Sequence, residues 1–138
     1  MNFEAKFDES YQRILATRRD GKDFFEAFYD RFLNSDEEIA GRFANTDMSK
    51  QQSMLKKSFY SLFAFYASGQ ADGYIGTIAE RHNRNSLDIH PEFYDIWLDC
   101  LITTVRQFDE AFCDDIELAW RLVLTPGITY MKFKYDKD

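Results

Sequence analysis

The feature that most limits what this chain can fold into is how seldom it is interrupted: 138 residues contain only two prolines and six glycines. No stretch sustains the apolar–polar alternation of a half-buried strand, and nearly every segment fits a period of 3.6 residues. An all-α protein is therefore expected. The length suits one domain over residues 1–138, large enough for a real core and too small for a second catalytic domain. No internal repeat, low-complexity tract or composition shift marks a linker.

The periodicity divides the chain into helices. The first is predicted from about Phe7 to Arg18, with Phe7, Tyr11, Ile14 and Leu15 on one side and Asp20-Gly21 ending it. The second begins near Lys22 and turns Phe25, Phe28, Tyr29, Phe32 and Leu33 inward. Ser35 is expected to cap a short third helix in a capping box with Glu38, and Phe43 closes it. Thr46 and Asp47 open a long helix to about Ser68, ended by Gly69. Its inner face is Gln51, Leu55, Phe59, Leu62 and either Phe63 or Tyr66, with Lys56 and Lys57 outward. A short helix carrying Ile75, Ile78 and Ala79 ends in His82, and a loop from Asn83 to His90 follows. Pro91 restarts the chain at a first helical position, where its missing N–H costs nothing, and the stripe Tyr94, Trp97, Leu98, Leu101, Val105 and Phe108 continues to about Gln107. Asp114 and Asp115 open the last helix, whose face is Ile116, Trp120, Val123, Leu124 and Met131. Pro126 lies inside it and predicts a kink or break near Thr125.

Composition narrows the function. A net charge of −7 disfavours nucleic acid and anionic membrane surfaces, both of which select clustered Lys and Arg. The start of the chain has no basic segment followed by an apolar one, and no apolar run is long enough to span a bilayer, so a cytoplasmic protein is expected. Cys100 and Cys113 have no metal-ligand spacing and are read as small core residues. Aromatic residues reach 17%, with 14 Phe and 8 Tyr, which suggests something flat and apolar packed among them.

His82 stands out because it ends an apolar stripe. A buried imidazole needs a partner, and from periodicity alone that partner is either a backbone carbonyl or a metal. Tyr29 is open in the same way, as a core tyrosine bonded to backbone or as a donor to a ligand. Gln51 and its neighbour Gln52 leave the register uncertain by one, and Gln51 is preferred because it buries Leu55 rather than Lys56.

Taken in order, FFEAFYDRFL, RFANTDMSKQQSML, IAERH, IHPEFYDIWLDCLI and DDIELAW resemble the globin family, specifically its bacterial single-domain and truncated haemoglobins, over nearly the whole chain. The most specific stretch is FANTDMSKQQSML, which is similar to the corner and distal-helix opening of truncated globins. The resemblance implies a globin-like fold, a helical sandwich around a pocket for haem b, with His82 as the proximal ligand of the iron. It makes Tyr29 and Gln51 a distal pair facing a bound diatomic gas. It sets Leu55 over the iron, Phe43 against the porphyrin face and Phe28 and Phe25 in the cavity wall. Arg81 would reach a haem propionate, with Lys50 and Arg84 as further cations for that task; otherwise it is a solvent-exposed arginine. His90 is assigned to the helix start before Pro91 rather than to the metal.

Tyr94 matches the proximal tyrosine of flavohaemoglobins, but the last helix offers Lys134 or Tyr135 where that group carries a glutamate partner. The incomplete pair argues against peroxidase-like chemistry. No glycine-rich dinucleotide fingerprint is present, so electrons would come from an external reductase. The resemblance therefore implies reversible binding of O₂, with NO and CO as further ligands, for oxygen storage or transport, and NO dioxygenation as associated chemistry. A haem-based gas sensor acting on a partner in trans is the alternative, and a haemless interaction domain is a third reading.

Overall fold

The first four helices each begin at a side chain that accepts hydrogen bonds from the first turn. In the computed structural model, which describes residues 2–71 and 73–137, Asn2 caps α1 (Phe3–Leu15), Asp23 caps α2 (Phe24–Leu33), Asp36 caps α3 (Glu37–Arg42) and Asp47 caps α4 (Met48–Ser68). Each cap is worth about 1 kcal/mol. Three more helices complete the described residues: α5 (Gly73–His82), α6 (Pro91–Phe108) and α7 (Asp114–Lys134). None of them is long and apolar enough to cross a membrane.

Several boundaries differ from the sequence reading. The first helix starts and ends a turn earlier than Phe7–Arg18, because Asn2 captures the Ala5 amide and Thr17 folds its hydroxyl onto the Arg13 carbonyl. The capping box belongs to Asp23 and Glu26, not to Ser35 and Glu38. Asp36, a stronger acceptor, takes the Glu38 and Ile39 amides, while Ser35 Oγ donates to the Phe32 carbonyl at 2.6 Å. Asp20 and Gly21 both have positive φ, 53° and 78°, and form a tight turn closed by two Arg19–Lys22 backbone hydrogen bonds of 2.9 Å.

No break occurs at Pro126, since α7 runs through it. The carbonyl deprived of a partner is that of Leu122, a residue 38% exposed, where a missing donor costs less than it would in the core. One residue later, Gly127 allows a close approach: a Cβ there would stand 2.1 Å from Leu62 Cδ2 of α4.

Helix α7 is the spine, packing against α1, α4, α5 and α6, while α2 lies chiefly on α6. An aromatic cluster joins α1, α4 and α7, in which Phe7 meets Trp120 edge-on at 4.5 Å and Tyr11 meets Phe59 at 5.6 Å. Beside it, the buried carboxylate of Asp109 accepts Arg13 Nε at 2.7 Å and Ser10 Oγ at 2.6 Å, and Trp120 Nε1 donates to Ser10. Part of the aromatic excess is thus accounted for by packing among the rings themselves. Cys100 is buried as expected, whereas Cys113 is exposed, because it occupies the N-cap position of α7.

Candidate functional site

Between the α2–α3 side and the α4–α5 side the helices leave a cavity of about 520 Å³. Capping and amphipathicity direct its walls: α2 sends in Tyr29 and Phe32, α4 sends Gln51 and Leu55, α5 sends Ile78, Arg81 and His82, and α6 sends Phe93, Tyr94 and Trp97. Phe43, at the end of α3, completes the wall. Seven of the nine residues assigned to the pocket above, Tyr29, Phe43, Gln51, Leu55, Arg81, His82 and Tyr94, therefore line one space.

Phe28 does not line it. Its ring is fully buried behind the wall, packed on Tyr29 at 5.0 Å, Phe32 at 5.4 Å and Trp97 at 6.1 Å, so it supports lining residues. Phe25 is likewise placed in the core against Phe24 and Phe59. The cause is helical register: Phe28 points to α6 while Tyr29, one residue on, turns toward α4.

On the α5 side, His82 Nδ1 lies 2.7 Å from the Ile78 carbonyl one turn earlier. A carbonyl only accepts, so Nδ1 carries the proton and donates, and Nε2 keeps its lone pair. Burial, with Arg81 adding to it and the Ile78 bond opposing, lowers the imidazole pKa from its ordinary value, so the ring is neutral at pH 7. The loop after His82 folds back on the end of the helix: the Leu87 amide donates to Arg81 O at 2.9 Å and the Ile89 amide to His82 O at 3.0 Å. That loop is in turn fastened to the end of α7. Tyr135 donates its hydroxyl to the Asp88 carboxylate, and its carbonyl accepts the Arg84 amide at 3.1 Å. Tyr135 is thus engaged with Asp88, and Lys134 lies over the Tyr130 ring at 5.9 Å; neither is seen paired with Tyr94.

Toward α2 and α4, Gln51 Nε2 donates to Tyr29 Oη at 3.3 Å, which settles the register in favour of Gln51. Burial pushes the Tyr29 phenol up to about 12 in spite of that bond, so it remains a protonated donor. Burial also raises Tyr94.

Sequence reading missed three groups at the cavity edge. Arg42 lies 5.5 Å over the Phe93 ring and donates to the Leu87 carbonyl, Lys57 sits 4.6 Å over the Tyr74 ring, and Tyr74 itself lines the space. Lys57 is exposed as its position suggested, yet its long stem still reaches the rim. Lys50 and Arg84 do not line the cavity, and neither does His90, which sits at the N-cap of α6 without a side-chain cap bond.

Among the described residues, seven helices sandwiching a cavity with one imidazole and a facing tyrosine–glutamine pair make the architecture of an all-α globin. The chain is similar to the crystal structure of PA3967 from Pseudomonas aeruginosa PAO1, a protein described as structurally highly homologous to a human hemoglobin. The similarity has a TM-score of 0.87 and 36% identity, covering 97% of this chain and 98% of that one. The chain belongs to the globin family. No family model matches it, and no curated protein matches it.

Proposed function

We propose that this globin binds haem b through His82 and presents Tyr29 and Gln51 to a diatomic gas, chiefly O₂, with NO and CO as further ligands. The observation that carries the reading is the pairing, around one cavity, of a neutral imidazole with a free Nε2 and a phenol–amide donor pair.

The residues present fit the group. The cavity volume of about 520 Å³ lies within the roughly 300–1,000 Å³ typical of sites for cofactors and small molecules. Its walls are mainly aromatic and aliphatic, and among the described residues no carboxylate lines it. Arg81 and Lys57 stand at the lining with no ion pair among the described residues, ready for the carboxylates of a largely apolar ligand. A lone imidazole, with no cluster of three His, Cys, Asp or Glu side chains among the described residues, suits a metal that arrives within an organic ring.

Haem, when bound, supplies an iron that takes a diatomic gas. This chain's part is to fix one imidazole tautomer through Ile78, to exclude bulk water with Phe43, Leu55 and Trp97, and to aim two donors from Tyr29 and Gln51. Titration of the purified protein with hemin tests the reading. A stoichiometric Soret band that changes on reduction and on adding CO is expected, and colourless protein after hemin and desalting refutes it.

A further inference from the structure

Helix α4 is the place where the charge of this protein reverses. The chain has 24 acidic against 17 basic residues, yet over its 21 residues α4 holds Lys50, Lys56 and Lys57 and no Asp or Glu. All three lysines are exposed, and none has a carboxylate partner among the described residues. Elsewhere the cations are commonly paired, as in Arg13–Asp109, Lys22–Asp30, Arg106–Glu117 and Lys132–Asp95. Helical geometry sets Lys50, Met54 and Lys57 in one row and Lys56 and Tyr60 beside it, opposite the buried Leu55, Phe59 and Leu62. Met54 and Tyr60 are large apolar side chains left 41% and 67% exposed on that face. Tyr and Met are favoured at protein interfaces, and lysines at the rim steer an oppositely charged partner.

The face borders the cavity, since Met54 and Lys57 belong to both. We infer that the outer face of α4 docks an acidic electron-carrying protein, the class of partner whose redox group has to come within reach of the cavity. The inference rests on the haem reading for the carrier's role and on α4 alone for the contact. Charge favours a compact protein over a polyanion: an extended nucleic acid or an anionic bilayer also meets the surrounding surface, which is more negative still once these lysines are set apart.

The test maps binding by amide chemical shifts on the hemin-loaded and the haem-free protein, with a plant-type two-iron ferredoxin and a flavodoxin as acidic probes. At about 20 mM salt, shifts confined to the outer face of α4 are expected, fading at about 300 mM as screening shortens the reach of the charges. Replacing Lys50→Glu and Lys56→Glu together, both outside the cavity lining, is expected to weaken binding about tenfold or more with hemin uptake unchanged, whereas Arg18→Glu has no effect. Shifts that appear with neither carrier, map elsewhere or survive the double substitution overturn the inference. Tighter capture by phosphatidylglycerol vesicles or by a DNA oligomer also overturns it. A protein that takes up no hemin refutes the cavity reading instead, and leaves the α4 map readable in the haem-free sample.

Discussion

His82 donates its Nδ1 proton to the carbonyl of Ile78 at 2.7 Å, within the same helix. From sequence, a bond to backbone and a bond to metal stand as alternatives for this histidine; the backbone bond made here takes up Nδ1 alone, so on the haem reading the two are compatible. The backbone bond selects the tautomer and directs the basic electron pair to Nε2.

Replacing that ring is therefore the most direct intervention. His82→Ala is expected to abolish or greatly weaken hemin retention, and added free imidazole should restore part of the absorption spectrum by filling the vacated space. Absorption and gel filtration of the hemin-loaded variant check this. Undiminished retention with an unchanged spectrum would contradict it.

Tyr29→Phe removes the phenol that Gln51 bonds to and leaves the ring packing intact. A hydrogen bond to a ligand with anionic character is worth roughly 1.5 kcal/mol, so O₂ release should quicken about tenfold. Gln51→Leu should act in the same direction. Stopped-flow displacement of O₂ by CO reads both, and hemin uptake should match wild type.

Acid should weaken the haem-free fold through His82. Its folded pKa is held below the ordinary value near 6.5, mainly by burial, so the unfolded chain takes up a proton first as the pH falls. Stability from this group is complete above about pH 6.5 and is lost on descent toward the lower folded value. Urea midpoints at about pH 7.5 and about pH 5.5 should fall less for His82→Gln than for wild type.

The helices and most of the cavity wall were legible because register, caps and Gly or Pro punctuation are local signals. Tyr29, Gln51, Leu55 and His82 followed from the faces of amphipathic helices combined with a family resemblance. What remained hidden depends on tertiary contacts. Phe28 and Tyr29 are adjacent and differ only in which neighbouring helix each meets, and Lys57 joins the cavity because its stem lies over Tyr74. Of the kink or break expected at Pro126, the break does not occur, and sequence alone does not distinguish the two because a proline's effect depends on how exposed the orphaned carbonyl is. The caps at Asn2 and Asp23 are local signals too, whereas the Ser35–Glu38 pair has the right spacing but stands beside a better acceptor, Asp36.

Asp109→Ala should cost about 2–3 kcal/mol of unfolding free energy, because it leaves Arg13 and the buried Ser10 without their acceptor. Burial alone would raise this carboxyl, but Arg13, Ser10 and the Ala111 amide together hold it below the usual range. Its contribution is therefore present above the unfolded pKa near 4 and disappears as the pH falls through the folded one. Denaturant titration measures the cost, and hemin uptake should be unaffected.

Tyr135→Phe removes the bond to Asp88 that fastens the loop following His82. Asp88 holds a positive φ of 54°, a conformation that non-glycine residues keep when neighbours enforce it. Faster amide exchange at Leu87 and Ile89 is expected in the haem-free variant, with the amides of α1 unchanged. Equal exchange in both proteins would show that the loop holds itself.

The aromatic cluster of Phe7, Tyr11, Phe59 and Trp120, with the Ser10–Arg13–Asp109 network beside it, lies outside the cavity wall. The packing that joins α1, α4 and α7 is thus carried by side chains other than those of the wall, so a change in the wall can alter what the cavity accepts without dismantling this half. On the haem reading, this half is expected to stay folded in the empty chain, unlike small metal-dependent domains that have no structure until they are loaded.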